Sequence, residues 1–372
     1  MKIISLNKYN GSNTFKYFME WLQDDLNSVN KVILDNLSNN SPLISEMSNY
    51  IISSGGKRIR PLITLGVTRL CNYSGNRHIG LAAVIEFIHT ATLLHDDVID
   101  NSKKRRGKKT ANFVWDNKSS ILVGDFFLSK AFRVLVNDGS LKCIDIISKV
   151  SEKIAFGEVK QLISVGNLKL SESDYLETIS YKTAELFSAA CQMASEISEI
   201  KEEQKKSLKD FGMFLGIAYQ IVDDTLDYFS EEKKLGKELG NDFIENKITL
   251  PLILAYKRSN KKEKNFLEHL INKEKITKSD LSWVIQKMNH YDVLKDCIRK
   301  VKYFSTMAKD SLGSFSKNQA KDKLIELVDF LVLRKSFLIF SIAAIIISLG
   351  VLFFKGLNLG IDFKGGTLIE IS

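Results

Sequence analysis

Residues 93–107 read LLHDDVIDNSKKRRG, and residues 221–227 read IVDDTLD. Both contain Asp-Asp-x-x-Asp. On a helix, positions i and i+4 share a face, so Asp96 and Asp100 point the same way, with Cβ atoms about 5–6 Å apart. Asp223 and Asp227 repeat the arrangement. Two carboxylates one turn apart repel each other unless a cation sits between them. Hard oxygen donors favour magnesium or calcium, and magnesium usually takes one or two carboxylates plus substrate phosphates and water. Two such faces in one chain point to a polyphosphate gripped through magnesium from both sides.

The surrounding chain is long enough for a large core. It has 372 residues, 44% hydrophobic and 26% charged, and no Gly/Pro/Ser-rich linker divides it. With only 3 prolines and no sustained period-2 alternation, it reads as long helices. The formal charge of +9 suits an anionic partner, but no aromatic-interleaved basic stripe marks a nucleic-acid surface, so none is expected. Most surface lysines, those of 256–278 above all, read as composition. Cys71, Cys143, Cys191 and Cys297 form no CxxC and no zinc spacing, which suits a reducing cytoplasm. The opening MKIISLNKYN has no apolar run of signal-peptide length.

The spacing predicts a polar segment over 1–14 and a helix from Phe15 to Leu37, in which Asp24 and Asp25 lack the third aspartate and read as solvated surface. Ser41-Pro42 reads as an N-cap and an N1 proline. Residues 79–100 form one helix ending in the first Asp motif. Further helices are expected over 119–137, 141–164, 172–199, 205–229, 248–258, 263–272, 278–289 and 291–311. Between the second and third helices lies GGKRIRP, residues 55–61. Lys57, Arg58 and Arg60 crowd three cations into four positions, an arrangement an anion would relieve. Guanidinium suits bidentate phosphate contacts and ammonium a point contact. A lysine in the middle of a helix, as at Lys182, more often snorkels to solvent.

GGKRIRP, DDVID followed by RRG, and a second DDxxD, in this order, together resemble the trans-isoprenyl diphosphate synthase family. VIEFIHTATLLHDDVIDNSKKRRG (84–107), LVGDFFL (122–128), GEVKQL (157–162) and YQIVDDTLDY (219–228) are most similar to its bacterial octaprenyl branch. The resemblance spans about residues 15–334. It implies an all-α fold, an antiparallel helical bundle around a central cavity, working as a homodimer with two to three Mg²⁺ ions. Asp96, Asp100, Asp223 and Asp227 would hold the metal, with Asp97 and Asp224 beside them. Arg105, Lys182, Thr183, Gln220 and Lys237 match positions that hold the allylic diphosphate. Lys57, Arg60, His89 and Arg106 match those that hold isopentenyl diphosphate. The catalytic set is then Asp96, Asp100, Asp223, Lys182 and Arg105.

The implied reaction ionises an allylic C–O bond, and the cation attacks the double bond of isopentenyl diphosphate. The product would grow along the face below Asp96. Bulky aromatics at the fourth and fifth residues before the motif stop growth early in this family. Here those residues are Thr92 and Ala91, both small. Ile88 and Ile85 are the next candidate floors, about 12 and 16 Å along the axis at 1.5 Å per residue. The resemblance therefore implies a long product, C40, for quinone side chains. A short-chain C15 or C20 synthase and a non-catalytic membrane subunit are the alternatives. A terpene cyclase would lack GGKRIRP.

Residues 336–354 carry no charge and match the length needed to cross a bilayer core of about 30 Å. Arg334 and Lys335 precede them, which places the main domain in the cytoplasm, tethered to the inner membrane, and 355–372 outside. GIDFKGG at 360–366 resembles the start of SecF, a protein-export membrane subunit, with its remaining helices missing. A fusion remnant and a selected anchor both account for this tail.

Overall fold

The computed structural model describes residues 13–38, 41–105, 107–229 and 239–332. The charge-free run 336–354 and the GIDFKGG stretch lie outside the described residues, as do Arg106 and Lys237.

The chain is a helical bundle. In order it forms α1 (Asn13–Trp21), α2 (Gln23–Leu37), α3 (Pro42–Ser53), α4 (Ile59–Leu70), α5 (Arg77–Ile99), α6 (Ala111–Val114), α7 (Asn117–Asp138), α8 (Leu141–Ile163) and α9 (Glu172–Ile179). A π turn, Ser180–Ala184, joins α9 to α10 (Glu185–Glu196). Then follow α11 (Glu202–Phe229), α12 (Asn241–Ile244), α13 (Leu250–Arg258), α14 (Lys261–Ile271), α15 (Lys278–His290), α16 (Val293–Ser311) and a last helix, α17, over 319–332. The strand pairing among the described residues is one two-residue ribbon, Lys104–Arg105 with Lys108–Lys109, directly after the first Asp motif.

Local signals explain six of the helix starts. Ser41 accepts from the Ile44 amide with Pro42 behind it. Asp116, Ser140 and Ser171 cap α7, α8 and α9 in the same way, and Asn260 and Thr277 open α14 and α15 with full capping boxes. The expected helix over 15–37 is broken at Leu22, where the backbone leaves α geometry while the side chain stays buried. Core packing overrides the unbroken periodicity there. Asp25 is also no solvated decoy: it accepts from both Nε and Nη2 of Arg69 on α4.

α5 is long and apolar enough to cross a membrane, yet most of it is buried inside the bundle. Leu81, Val84, Ile85, Phe87 and Ile88 are covered by α4, α7 and α10, so it is the core helix that carries the first Asp motif. α11, which carries the second, packs between α10 and α16. Two glycines let helices approach the site closely. A Cβ on Gly157 of α8 would lie 2.8 Å from the Lys182 amide nitrogen, and one on Gly216 of α11 would lie 2.5 Å from the Ala184 Cα. The π turn is thus clasped between two helices at points where no side chain fits.

Candidate active site

Two lysines face the last turn of α5. Lys182 Nζ sits 3.7 Å from Asp96 Oδ2, and donates to Glu158 Oε2 at 2.7 Å and Gln161 Oε1 at 2.8 Å, both on α8. Lys247, between α12 and α13, lies 2.7 Å from Asp100 Oδ2 and 2.9 Å from Glu245. The mid-helix lysine does not snorkel. The π turn presents it to the carboxylates, and such single-turn expansions recur at functional sites. Burial would lower Lys182, but Asp96 and Glu158 outweigh it and hold the ammonium above its ordinary value. Lys247 is raised likewise by Asp100 and Glu245 against burial.

Asp97 has a different task. It is buried and takes both Nε (2.9 Å) and Nη2 (2.8 Å) of Arg105 on Oδ1, while its backbone carbonyl accepts from Asn112. Burial raises the Asp97 carboxyl despite that guanidinium. Arg105, expected at the allylic diphosphate, is in this structure the strut that folds the β-ribbon back on α5.

The second motif divides similarly. Asp223 is exposed, whereas Asp224 and Asp227 are buried. Asp224 accepts from Tyr175 OH and from Gln220 Nε2, each at 2.6 Å, and Thr183 Oγ1 donates to Gln220 Oε1 at 2.8 Å. Thr183, Gln220 and Asp224 therefore form one chain linking the π turn to α11. Asp227 Oδ2 accepts the Asp242 amide, and its carbonyl accepts the Gly240 amide, so it also anchors the loop that returns to α12.

Burial, with Asp242 nearby, pushes the Asp224 carboxyl up to about 8 against the pull of Tyr175 and Gln220. The folded chain thus keeps a proton that the unfolded chain releases above about pH 4. Between about pH 4 and pH 8 this group makes stability fall as pH rises. Asp224→Asn, which stays neutral, is expected to flatten that slope in urea unfolding of the metal-free chain from pH 5 to 8. An unchanged slope would mean that Glu158 carries it, since burial and Asp96 push that carboxyl up to about 7.

The basic motif sits at the start of α4. Arg60 Nη1 is 3.1 Å from His89 Nε2 on α5, and its guanidinium lies 4.6 Å from the centre of the Phe187 ring. Lys57 reaches over the Phe330 ring at 5.2 Å. Arg58 turns away from this group and pairs with Glu86. One member of the crowded basic run is thus neutralised inside the protein. Ala91, Ile88 and Ile85 are buried along α5 beneath the motif, and Thr92 is half-buried, with its hydroxyl donating to the His89 carbonyl.

Reading by motif gave no role to Lys247, Glu158, Gln161 or Tyr175, although Glu158 and Gln161 lie within GEVKQL (157–162). The first lies twenty residues beyond the second motif, and the others are polar positions on ordinary amphipathic helices. Their roles come only from packing.

The donor set suits a hard divalent cation that arrives with its ligand. Among the described residues no three acidic, histidine or cysteine side chains converge on one point. Magnesium fits this arrangement because it needs only one or two carboxylates when phosphate and water supply the rest. Lys182 and Lys247 occupy the cationic positions beside Asp96 and Asp100.

Residues 41–288 match the family model described as Polyprenyl synthetase, and residues 350–372 match the SecD/SecF GG Motif. Octaprenyl diphosphate synthase of Escherichia coli is 46% identical over 236 residues, 63% of this chain and 73% of that protein. Its Haemophilus influenzae counterpart is 38% identical over 303 residues, 82% of this chain and 92% of that protein. A crystal structure of polyprenyl synthase from Caulobacter crescentus, complexed with calcium and isoprenyl diphosphate, superposes with a TM-score of 0.84 at 38% identity, covering 88% of this chain and 99% of that one.

Proposed function

We propose a specific reaction for this chain, which belongs to the polyprenyl synthetase family and is a prenyltransferase, a trans-prenyl diphosphate synthase. It condenses isopentenyl diphosphate repeatedly onto an allylic diphosphate, with magnesium, to a long product, C40. The observation that carries this reading is the pair of lysines set against Asp96 and Asp100. They mark a site built to neutralise a polyphosphate from both ends.

The residues divide the work. The allylic diphosphate lies between the two Asp motifs, where Asp96, Asp100 and Asp223 would hold its cations. Magnesium bound there would supply Lewis-acid charge to the leaving diphosphate. Lys182 and Lys247 turn from carboxylate to phosphate oxygens as that ligand arrives, which leaves Asp96 and Asp100 available to the cations that accompany it. Thr183 and Gln220, fixed by Asp224, orient it. Lys57, Arg60 and His89 hold isopentenyl diphosphate. The allylic C–O bond breaks, a C–C bond forms to the double-bond carbon, and the departing diphosphate takes the lost proton. Preorganised electrostatics of this kind commonly lowers a reaction barrier more than any other single effect. Arg106 and Lys237 retain the diphosphate roles given them by the resemblance.

Incubating the full-length chain with magnesium, farnesyl diphosphate and labelled isopentenyl diphosphate, then chromatographing the dephosphorylated product, tests the reading. A C40 prenol is expected. Folded protein that incorporates no label would overturn it. The relatives named octaprenyl synthases support the C40 length and, through it, a quinone side-chain fate.

Homodimerisation is part of the same proposal. Leu122 and Val136 on α7, and Leu141, Phe156, Leu162 and Ile163 on α8, are all exposed. Exposed apolar side chains gathered on two helices packed against each other suit an interaction surface. Leu122→Lys combined with Leu162→Lys is expected to halve the mass seen by light scattering, and an unchanged mass would remove this face as the interface. The charge-free run 336–354 and the match to an export-protein motif support a membrane tether that leaves the catalytic domain in the cytoplasm. Recovery of the chain in the soluble fraction after lysis would count against the tether.

A further inference from the structure

The proposed reaction uses Lys57 and Arg60 but not Arg58, which lies between them. Arg58 donates through Nη1 to Glu86 Oε1 on α5, and the two side chains are only 8% and 9% exposed. Its backbone is left-handed, with φ 50° and ψ 35°. Residues with a Cβ avoid that conformation unless the surroundings impose it. One turn further along α5, His89 meets Arg60. The start of α4 is therefore fastened to α5 at two points three residues apart, and the second point is the proposed isopentenyl diphosphate site.

A buried ion pair is a poor source of net stability, since an apolar pair of similar volume commonly does as well. What it adds is direction. The single bond from Nη1 to Glu86 Oε1, made where both side chains are buried, ties Arg58 to one place on α5, and that fixes the register of Arg60 along α5. The Phe187 ring confines Arg60 sideways but leaves this register open.

We infer that Arg58 and Glu86 are positioning residues for isopentenyl diphosphate: their ion pair, held by a strained backbone, sets Arg60 and His89 at the spacing the diphosphate needs. The inference rests on the proposed assignment of Arg60 and His89.

The test is steady-state kinetics of the full-length chain with each substrate varied in turn. In Arg58→Gly with Glu86→Gln, glycine adopts the left-handed conformation freely and glutamine strands no charge. KM for isopentenyl diphosphate is expected to rise about tenfold or more, with KM for the allylic diphosphate and kcat each within about threefold of wild type. Arg58→Lys, which keeps the charge without the planar fork, should fall between. If the first double variant does not fold by circular dichroism, Arg58→Leu with Glu86→Leu replaces it, with the same expectation. An unchanged KM for isopentenyl diphosphate, or a parallel loss in all three constants, would overturn the positioning role. A wild-type chain that turns over normally while the double variant matches it sinks this inference alone. A wild-type chain with no turnover sinks the proposed reaction instead.

Discussion

Asp96→Asn is expected to lower kcat about 10³-fold, a loss of about 4 kcal/mol of transition-state stabilisation. Asparagine matches aspartate in shape, so the change removes charge and one metal-binding oxygen while leaving the helix intact. Asp96 stands 3.7 Å from Lys182, whose ammonium is tied to Glu158 and Gln161 as well. Without the Asp96 charge, the ammonium shifts toward Glu158 and the two ends of the diphosphate lose their balance. Arg60 and His89, proposed to hold isopentenyl diphosphate, meet about two helical turns before Asp96 along α5. KM for that substrate should therefore stay within about twofold. Asp97→Asn supplies the contrast. It breaks the buried pair with Arg105, and because Arg105 keeps part of its surface in water the cost should lie near the low end, about 3 kcal/mol. Its signature is a lower unfolding midpoint. Should Asp96→Asn destabilise the fold as much as Asp97→Asn does, or retain wild-type kcat, the division of labour within the motif is wrong.

Ala91→Phe is expected to shorten the product to about C15–C20 while turnover continues, on the ruler of 1.5 Å per residue that puts position 91 about 7–8 Å below Asp96. Ala91 is buried, so the added ring also crowds its neighbours, at a cost of about 1–3 kcal/mol. Thr92→Phe controls for that cost. Thr92 is half-buried, and its hydroxyl is engaged only with its own helix in the contacts described. It should shorten the product with less loss of stability. Chromatography of the prenols decides the matter. An unchanged C40 product from both variants would show that growth does not follow this face, and Ile88 and Ile85 would lose their place as a floor.

The bundle was legible where a residue's place depends on its near neighbours in sequence. Asp96 and Asp100 could be paired from the 3.6-residue repeat alone, and capping residues such as Ser140 and Thr277 announced their helices. The reading weakened wherever the partner is far away in sequence. Arg58 and Arg105 are both in basic runs, and nothing local says that each spends its charge on a carboxylate of α5. Lys247 looks like any lysine ahead of a helix until α12 brings it to Asp100. The break at Leu22 was hidden because the apolar pattern continues through it.

The π turn was equally invisible, and it has the longest reach. A regular α-helix advances about 100° per residue, so the face a residue occupies is a matter of phase. The widened turn at Ser180–Ala184 slips that phase once. Tyr175, before the slip, bonds Asp224 in the interior; Phe187, after it, packs in the core near Arg60. Lys182 and Thr183 fall at the slip itself, where neither rhythm claims them. One continuous rod thereby meets a single core in two phases, and Lys182 and Thr183 leave it in the interval between them.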